Sequence, residues 1–221
     1  MAEKMVFLAS EDNYFEEEII EYIYYSGFAV SQKQKSIRSL HESIHKLYPD
    51  KSILEISTKS DVELGIKLSA FNLPFYHEEI GEGRNIENVF QSSKVFEDGG
   101  PYLDLLNVSP KEAKRNSKLY ESGQLINFEL YGKTWPLNPK TMFYDWIYIN
   151  ALKQNMSLAK ELLKYDIFTD IEFNFKKSLN CQARSAAIFV SLCRNNKLEE
   201  MTQSPDIFKS IYKEEEQISF L

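Results

Sequence analysis

The hydrophobic pattern changes its period along the chain, and this limits the folds open to it. MVFLA near the N-terminus and EIIEYIYY, Glu18–Tyr25, are aromatic and β-branched runs closed by Ser26-Gly27, the mark of strands. After them Ile37, Leu40, Ile44 and Leu47 recur at helical spacing, with Pro49 closing the stretch. ILEIS, Ile53–Ser57, is a short strand candidate. Ile86, Val89, Phe90 and Val95 or Phe96 form a helical stripe. Ser109-Pro110-Lys111-Glu112 is a helix start, with a capping serine, proline at the first helical position and a glutamate completing the box. That helix is predicted to run to about Ser122 and stop at Gly123. INFELYGKTW, Ile126–Trp135, alternates as a hairpin strand does. Phe143, Trp146, Ile147, Asn150 and Ala151 mark a mostly buried helix from Thr141, followed by helices in LAKELLKY, ARSAAIFVSLCR and SPDIFKSIYK. The pattern predicts an α+β fold with helices in the majority and short N-terminal strands.

Composition narrows the function. At 221 residues, 43% apolar and with no Pro/Gly/Ser linker, the chain reads as one large domain. Two cysteines, Cys181 and Cys193, make neither a disulfide framework nor a cysteine-only zinc site. Even the longest fully apolar runs, such as Ala186–Val190, fall far short of the roughly 20 residues that span a bilayer. The N-terminus turns acidic where a signal peptide would carry its cleavage site. A soluble, cytoplasmic protein with no membrane partner is expected. A net charge of −7 opposes a broad hold on nucleic acid, although Ser31–Lys46 carries Lys33, Lys35, Arg38 and Lys46 with His41 and His45. That stretch meets phosphate or is a solvated helix face. His41 and His45 lack the intervening acid and third ligand of a zinc motif and read as a surface pair. No phosphate-binding glycine loop or serine-nucleophile motif is present.

Chemistry concentrates in IENVFQSSKVFEDGGPY. Glu87, Gln91 and Lys94 stand at i, i+4 and i+7, within about 60° of one line on a helix. A carboxylate, an amide and an amine would then share one face, with Val89, Phe90 and Val95 toward the core. Partial burial raises a glutamate pKa and lowers a lysine pKa, which suits acid/base work beside an amine nucleophile. An ordinary solvated charge stripe is the competing reading. In SLNCQARSAAIF, Asn180, Gln182 and Arg184 lie before or inside the first turn of a helix, a phosphate-binding arrangement, unless Ser178 or Asn180 is simply a cap. Gly99 and Gly100 permit close backbone approach to a ligand and Tyr102 can stack on a base; a turn with a packed tyrosine is the plainer alternative. KLSAFN, with Lys67, Ser69, Phe71 and Asn72, is a predicted loop. FTDIEFN brings Asp170 and Glu172 between two helices.

ENVFQSSKVF, Glu87–Phe96, resembles the hallmark of the NADAR (YbiA-like) N-glycosidases: Glu, two variable positions, Phe-Gln, two variable positions, Lys, then Phe. SPKEAKR, LSAF and NCQARSAA resemble three further family blocks, and all four occur in family order between Leu68 and Arg194. QKQKSIRSLH, ILEISTKS, LGIKLSAFNL, FQSSKVFEDGGPY, WPLNPKTMFYDWIYINAL, YDIFTDIEFN and KKSLNCQARSAA are similar to the branch of NADAR antitoxins that accompany DarT-type toxins. The resemblance implies a single mainly helical NADAR catalytic domain over 51–221, with 1–50 as a strand/helix extension packed on it.

It also implies an ADP-ribosyl hydrolase that removes ADP-ribose from guanine in single-stranded DNA or a nucleotide, as antitoxin to a DarT-type toxin, with no cofactor. Position by position, Glu87 matches the catalytic glutamate, Lys94 the family lysine and Gln91 an orienting residue. Asn180, Gln182 and Arg184 would hold the pyrophosphate. Lys67, Ser69, Phe71, Asn72, Gly99, Gly100, Tyr102, Trp146 and Asp170 complete the expected substrate contacts. Ala70 stands where the general family has Asn, and the family's acid-then-Trp-Gly loop is replaced by a stretch offering Asp170 and Glu172. Trp135 or Trp146 would take the stacking role. Two other activities fit the residues: an N-glycosidase acting on a small phosphorylated ribosylamine such as a riboflavin precursor, and a non-catalytic ADP-ribose- or toxin-binding module.

Overall fold

A computed structural model of the protein describes residues 1–79 and 82–212. In chain order the elements are β1 (Ala2–Leu8), β2 (Glu16–Tyr22), α1 (Val30–Leu47), β3 (Ile53–Glu55), α2 (Glu63–Lys67), β4 (Pro74–Phe75), β5 (Arg84–Asn85), α3 (Ile86–Ser92), β6 (Lys94–Phe96), a 3-10 turn (Leu103–Asn107), α4 (Pro110–Arg115), α5 (Lys118–Glu121), β7 (Leu125–Leu130), β8 (Lys133–Trp135), α6 (Met142–Gln154), α7 (Met156–Leu162), β9 (Ile167–Thr169), α8 (Gln182–Arg194), α9 (Leu198–Met201) and α10 (Pro205–Phe208), followed by a 3-10 turn (Lys209–Tyr212). The fold is α+β, as the change of period predicts. The last helical stretch was expected to reach Lys213, which lies outside the described residues. Among the described residues no helix is long and apolar enough to cross a membrane. The chain forms two compact units: Met1–Ser69 with Met156–Glu200, and Ala70–Asn155 with Met201–Leu221.

The first unit is built on a four-stranded sheet in the order β2-β1-β9-β3, antiparallel except for the parallel β3–β9 pair. Alternation along β1 and β2 turns Val6, Ile20 and Tyr22 to one face, where the Ile37, Leu40 and Ile44 stripe of α1 covers them together with Ile167 and Ile171. Leu47, the fourth member of the predicted stripe, is exposed. β9 was not anticipated in FTDIEFN. Its three residues are buried throughout, so they show no alternation, and Asp170 follows a strand rather than lying between helices. His41 and His45 are not a surface pair: His45 is exposed, while His41 is half-buried with its Nε2 3.0 Å from Thr169 Oγ1.

The second unit carries the three-stranded antiparallel sheet β6-β7-β8 and the β4–β5 pair. Tyr131 and Gly132, at φ 52° and 68°, form the two-residue turn joining β7 to β8, and both conformations match the twist of a tight hairpin. Phe143 stacks on both Phe90 and Phe128, whose rings are tilted to each other, Tyr144 meets the Phe90 ring edge-on, and Trp135, Trp146, Phe208 and Tyr212 extend the aromatic core. The capping box at Ser109 and Glu112 is present in full. The helix it starts does not run to Ser122: Asn116 leaves helical geometry at ψ 134°, and α5 begins two residues later.

The largest departure concerns Lys94. The helix predicted over 86–96 ends at Ser92, and Lys94 opens β6. Ser92 and Ser93 both donate their hydroxyls to the Val89 carbonyl, and Val95 and Phe96 then pair with β7. Serine bonding to its own helix backbone, followed by residues suited to a strand, favours the switch.

Candidate functional site

α3 places Glu87 and Gln91 one turn apart on one face, and both are buried, at 5% exposure each. Every residue of this helix is buried, so the solvated-stripe reading of Glu87 and Gln91 fails. Gln91 Nε2 donates to Glu87 Oε1 at 2.8 Å and fixes the carboxylate. Gln91 Oε1 is buried and has no hydrogen-bond partner among the described residues. An orphaned buried acceptor costs about 1–3 kcal/mol unless something donates to it, and this marks where a ligand donor would be welcome.

Lys94 reaches the same place from β6. Its Nζ lies 4.9 Å from the Phe90 ring centroid, and it is half-buried. Burial lowers its pKa to about 8, the Glu87 carboxylate opposes that shift, and Lys114 adds to it. A sizeable share of this lysine is therefore neutral amine near pH 8, the form that attacks carbonyl and imine carbon. Gly100 helps to position it. At φ 101° a Cβ there would sit 2.3 Å from the Lys94 carbonyl oxygen, so the close approach this glycine permits is to the backbone of Lys94.

Lys114, from α4, was not singled out in the sequence. Its Nζ lies 3.8 Å from Glu87 Oε1 and 5.6 Å from the Phe71 ring centroid. The signal was in SPKEAKR, one residue after the Ala of a helix whose start was legible, but its pairing with Glu87 is non-local. Glu87, Gln91, Lys94, Lys114 and Phe71 thus form one cluster of a carboxylate, an amide, two amines and an aromatic ring.

A family model described as the DarT1-associated NADAR antitoxin matches residues 2–219. The chain belongs to that family. No curated protein matches it.

In this NADAR antitoxin the other predicted positions divide between the two units. In the second, Asn72 is exposed and Tyr102 is packed: its ring stacks on Phe96, its hydroxyl bonds Ser122 Oγ, and Lys118 covers it at 5.2 Å. Trp135 is buried and Trp146 half-buried, and their rings are 5.2 Å apart. In the first unit, Lys67 is exposed and paired with Glu63, and Ser69 is buried with its hydroxyl on the Ile66 carbonyl. Asn180 precedes α8, Gln182 opens it and Arg184 is buried in its first turn. The position before the helix is Cys181, with no side-chain cap, so neither Ser178 nor Asn180 caps it. The Arg184 guanidinium lies 4.6 Å from the Phe15 ring centroid.

Asp170 belongs to a buried ionisable group in the first unit that the sequence only hinted at. Its Oδ1 accepts from the backbone N–H of Glu172 and of Phe173, and its Oδ2 from Gln182 Nε2. Burial, with Glu55 nearby, raises its pKa to about 7. Glu55 accepts from Thr169 Oγ1 and Ile171 N, and burial raises its pKa as well. The Lys4 ammonium donates to the carbonyls of Ile171 and Phe173, clamping the 170–173 turn to β1. Among the described residues no group of three or more His, Cys, Asp or Glu is arranged to hold a metal ion.

Proposed function

We propose that this DarT1-associated antitoxin is a glycohydrolase that removes ADP-ribose from guanine. The observation that carries the reading is the meeting of a buried, amide-anchored carboxylate and a half-buried lysine with lowered pKa in one cluster. The bond to be broken joins C1″ of the ribose to an exocyclic nitrogen of guanine. The nitrogen lone pair opens the ring, the C1″–O4″ bond breaks, and Glu87 delivers a proton to O4″. The neutral Lys94 amine adds to the resulting iminium carbon, a proton passes to the guanine nitrogen, and guanine leaves. Water then adds to the lysine imine, the amine departs, and open-chain ADP-ribose closes. A target guanine is met in a single strand or flipped from a stack in this scheme.

Guanine-ADP-ribosylated single-stranded DNA incubated with the wild type is expected to lose the modification. Glu87→Gln and Lys94→Ala are expected to slow that loss by at least about 100-fold, the lower range of acid/base contributions. Equal activity on a free ribosylamine nucleotide would favour the metabolic N-glycosidase instead. ADP-ribose binding with no turnover would favour a binding module.

A further inference from the structure

A cleft of about 380 Å³ opens beside α3, on a different face from Glu87, lined by Arg84, Asn85, Asn107 and Val108 among others. That volume falls in the range of small-ligand sites, roughly 300–1,000 Å³. Its walls are fixed: the Asn88 amide donates to the carbonyls of Leu105 and Val108 at 2.7 and 2.8 Å, tying the 3-10 turn to α3. Arg84 spans the cleft, with one Nη on Glu82 at 2.6 Å and the other donating to the Asn107 side-chain Oδ1 at 2.9 Å. Its Nε is buried and has no acceptor among the described residues.

The chemistry of this lining selects its ligand. Glu82 cancels the Arg84 charge, so the cleft has little to offer a phosphate. What remains is an unused guanidinium N–H, the Asn85 amide, which makes no helix-capping bond and donates only a long 3.5 Å bond to Asn88 Oδ1, and the apolar flanks of Leu106 and Val108. These suit a flat, uncharged group with ring nitrogens and carbonyls at its edge, and Arg and Asn are the residues that read base edges by paired hydrogen bonds. We propose that the cleft seats a nucleobase, the neighbour of the modified guanine in a single-stranded substrate. Asn85 and Asn88 flank Glu87 in sequence, which puts the cleft one helix face away from the carboxylate. The proposal rests on the glycohydrolase reading.

The test compares ADP-ribosylated guanosine monophosphate with short ADP-ribosylated DNA and RNA strands, intact or abasic beside the modified guanine. Asn107→Ala and Arg84→Lys are the variants, with thermal melting to confirm folding. The expected result is about a tenfold rise in KM on intact strands, the worth of one to two hydrogen bonds, exceeding any effect on the mononucleotide at least about fivefold. An abasic neighbour should reproduce the loss in the wild type, and the DNA and RNA arms show which sugar the site accepts. Equal effects on strand and mononucleotide would overturn the proposal by assigning the cleft to the adenine of ADP-ribose, and no effect would leave the cleft without a ligand role. Absence of turnover in the wild type would overturn the glycohydrolase reading alone. The cleft is then judged by anisotropy with the modified strand on Glu87→Gln protein, where a tenfold weaker Kd on adding Asn107→Ala supports it and an unchanged Kd refutes it.

Discussion

The Lys114 ammonium sits 3.8 Å from the Glu87 carboxylate, and both act on Lys94 with opposite sign. Glu87 favours the Lys94 ammonium, and Lys114 disfavours it while competing for the same carboxylate. Lys114→Met is therefore expected to move the Lys94 titration upward from about 8. In a pH profile of kcat/KM the rising limb should shift to more alkaline pH and the high-pH plateau should largely survive. Lys114→Arg should keep the wild-type profile. An unmoved limb in Lys114→Met would show that the two ammonium groups are not coupled.

Gln91 holds Glu87 through one hydrogen bond of 2.8 Å. Gln91→Ala removes that anchor and leaves the carboxylate free to rotate. A loss of about 1 kcal/mol in transition-state binding, or roughly five- to tenfold in kcat, is expected. Steady-state kinetics at saturating substrate measures it, and a pure KM effect would place Gln91 in ground-state binding only.

Gly100 carries a φ of 101° against the Lys94 carbonyl. Gly100→Ala should cost about 1–3 kcal/mol of stability through the forbidden backbone conformation alone. The clash falls on the backbone of Lys94, so activity should drop further than a stability loss explains. Urea unfolding and kinetics on the same preparation separate the two effects.

Titration in the first unit gives two opposed slopes. The Asp170 pKa is raised to about 7, so the fold binds its proton more tightly than the unfolded chain does, and stability from this group is lost as pH rises toward 7. Glu55, raised by burial, acts in the same direction. The His41 pKa is lowered to about 4 by burial, so its contribution is present above the unfolded value and lost as pH falls toward 4. Between about pH 4.5 and 6.5, Asp170→Asn should therefore make stability rise more steeply with pH than in the wild type, and His41→Gln should make it rise less or fall. Urea midpoints across that range provide the check, and parallel curves for all three proteins would contradict it.

What could be read in the sequence follows from how local each cause is. The α1 stripe and the Ser109 box were legible because their partners lie within a turn or two. Glu87 and Gln91 were correctly set on one face for the same reason. Val95 and Phe96 continue the helical period and so carry Lys94 with them in the sequence pattern, whereas their actual partner, β7, lies some thirty residues on. β9 is too short and too fully buried to alternate. Lys114 meets Glu87, and Arg84 meets Asn107, only through tertiary packing, and no spacing rule connects them.

The central claim is that Lys94 acts as an amine nucleophile. Borohydride added during turnover of guanine-ADP-ribosylated single-stranded DNA, followed by peptide mapping, tests it most directly. A reduced ADP-ribose adduct on Lys94 is expected in the wild type and none in Lys94→Arg, whose guanidinium stays charged. Rapid turnover with no adduct, together with an active Lys94→Arg protein, would contradict it.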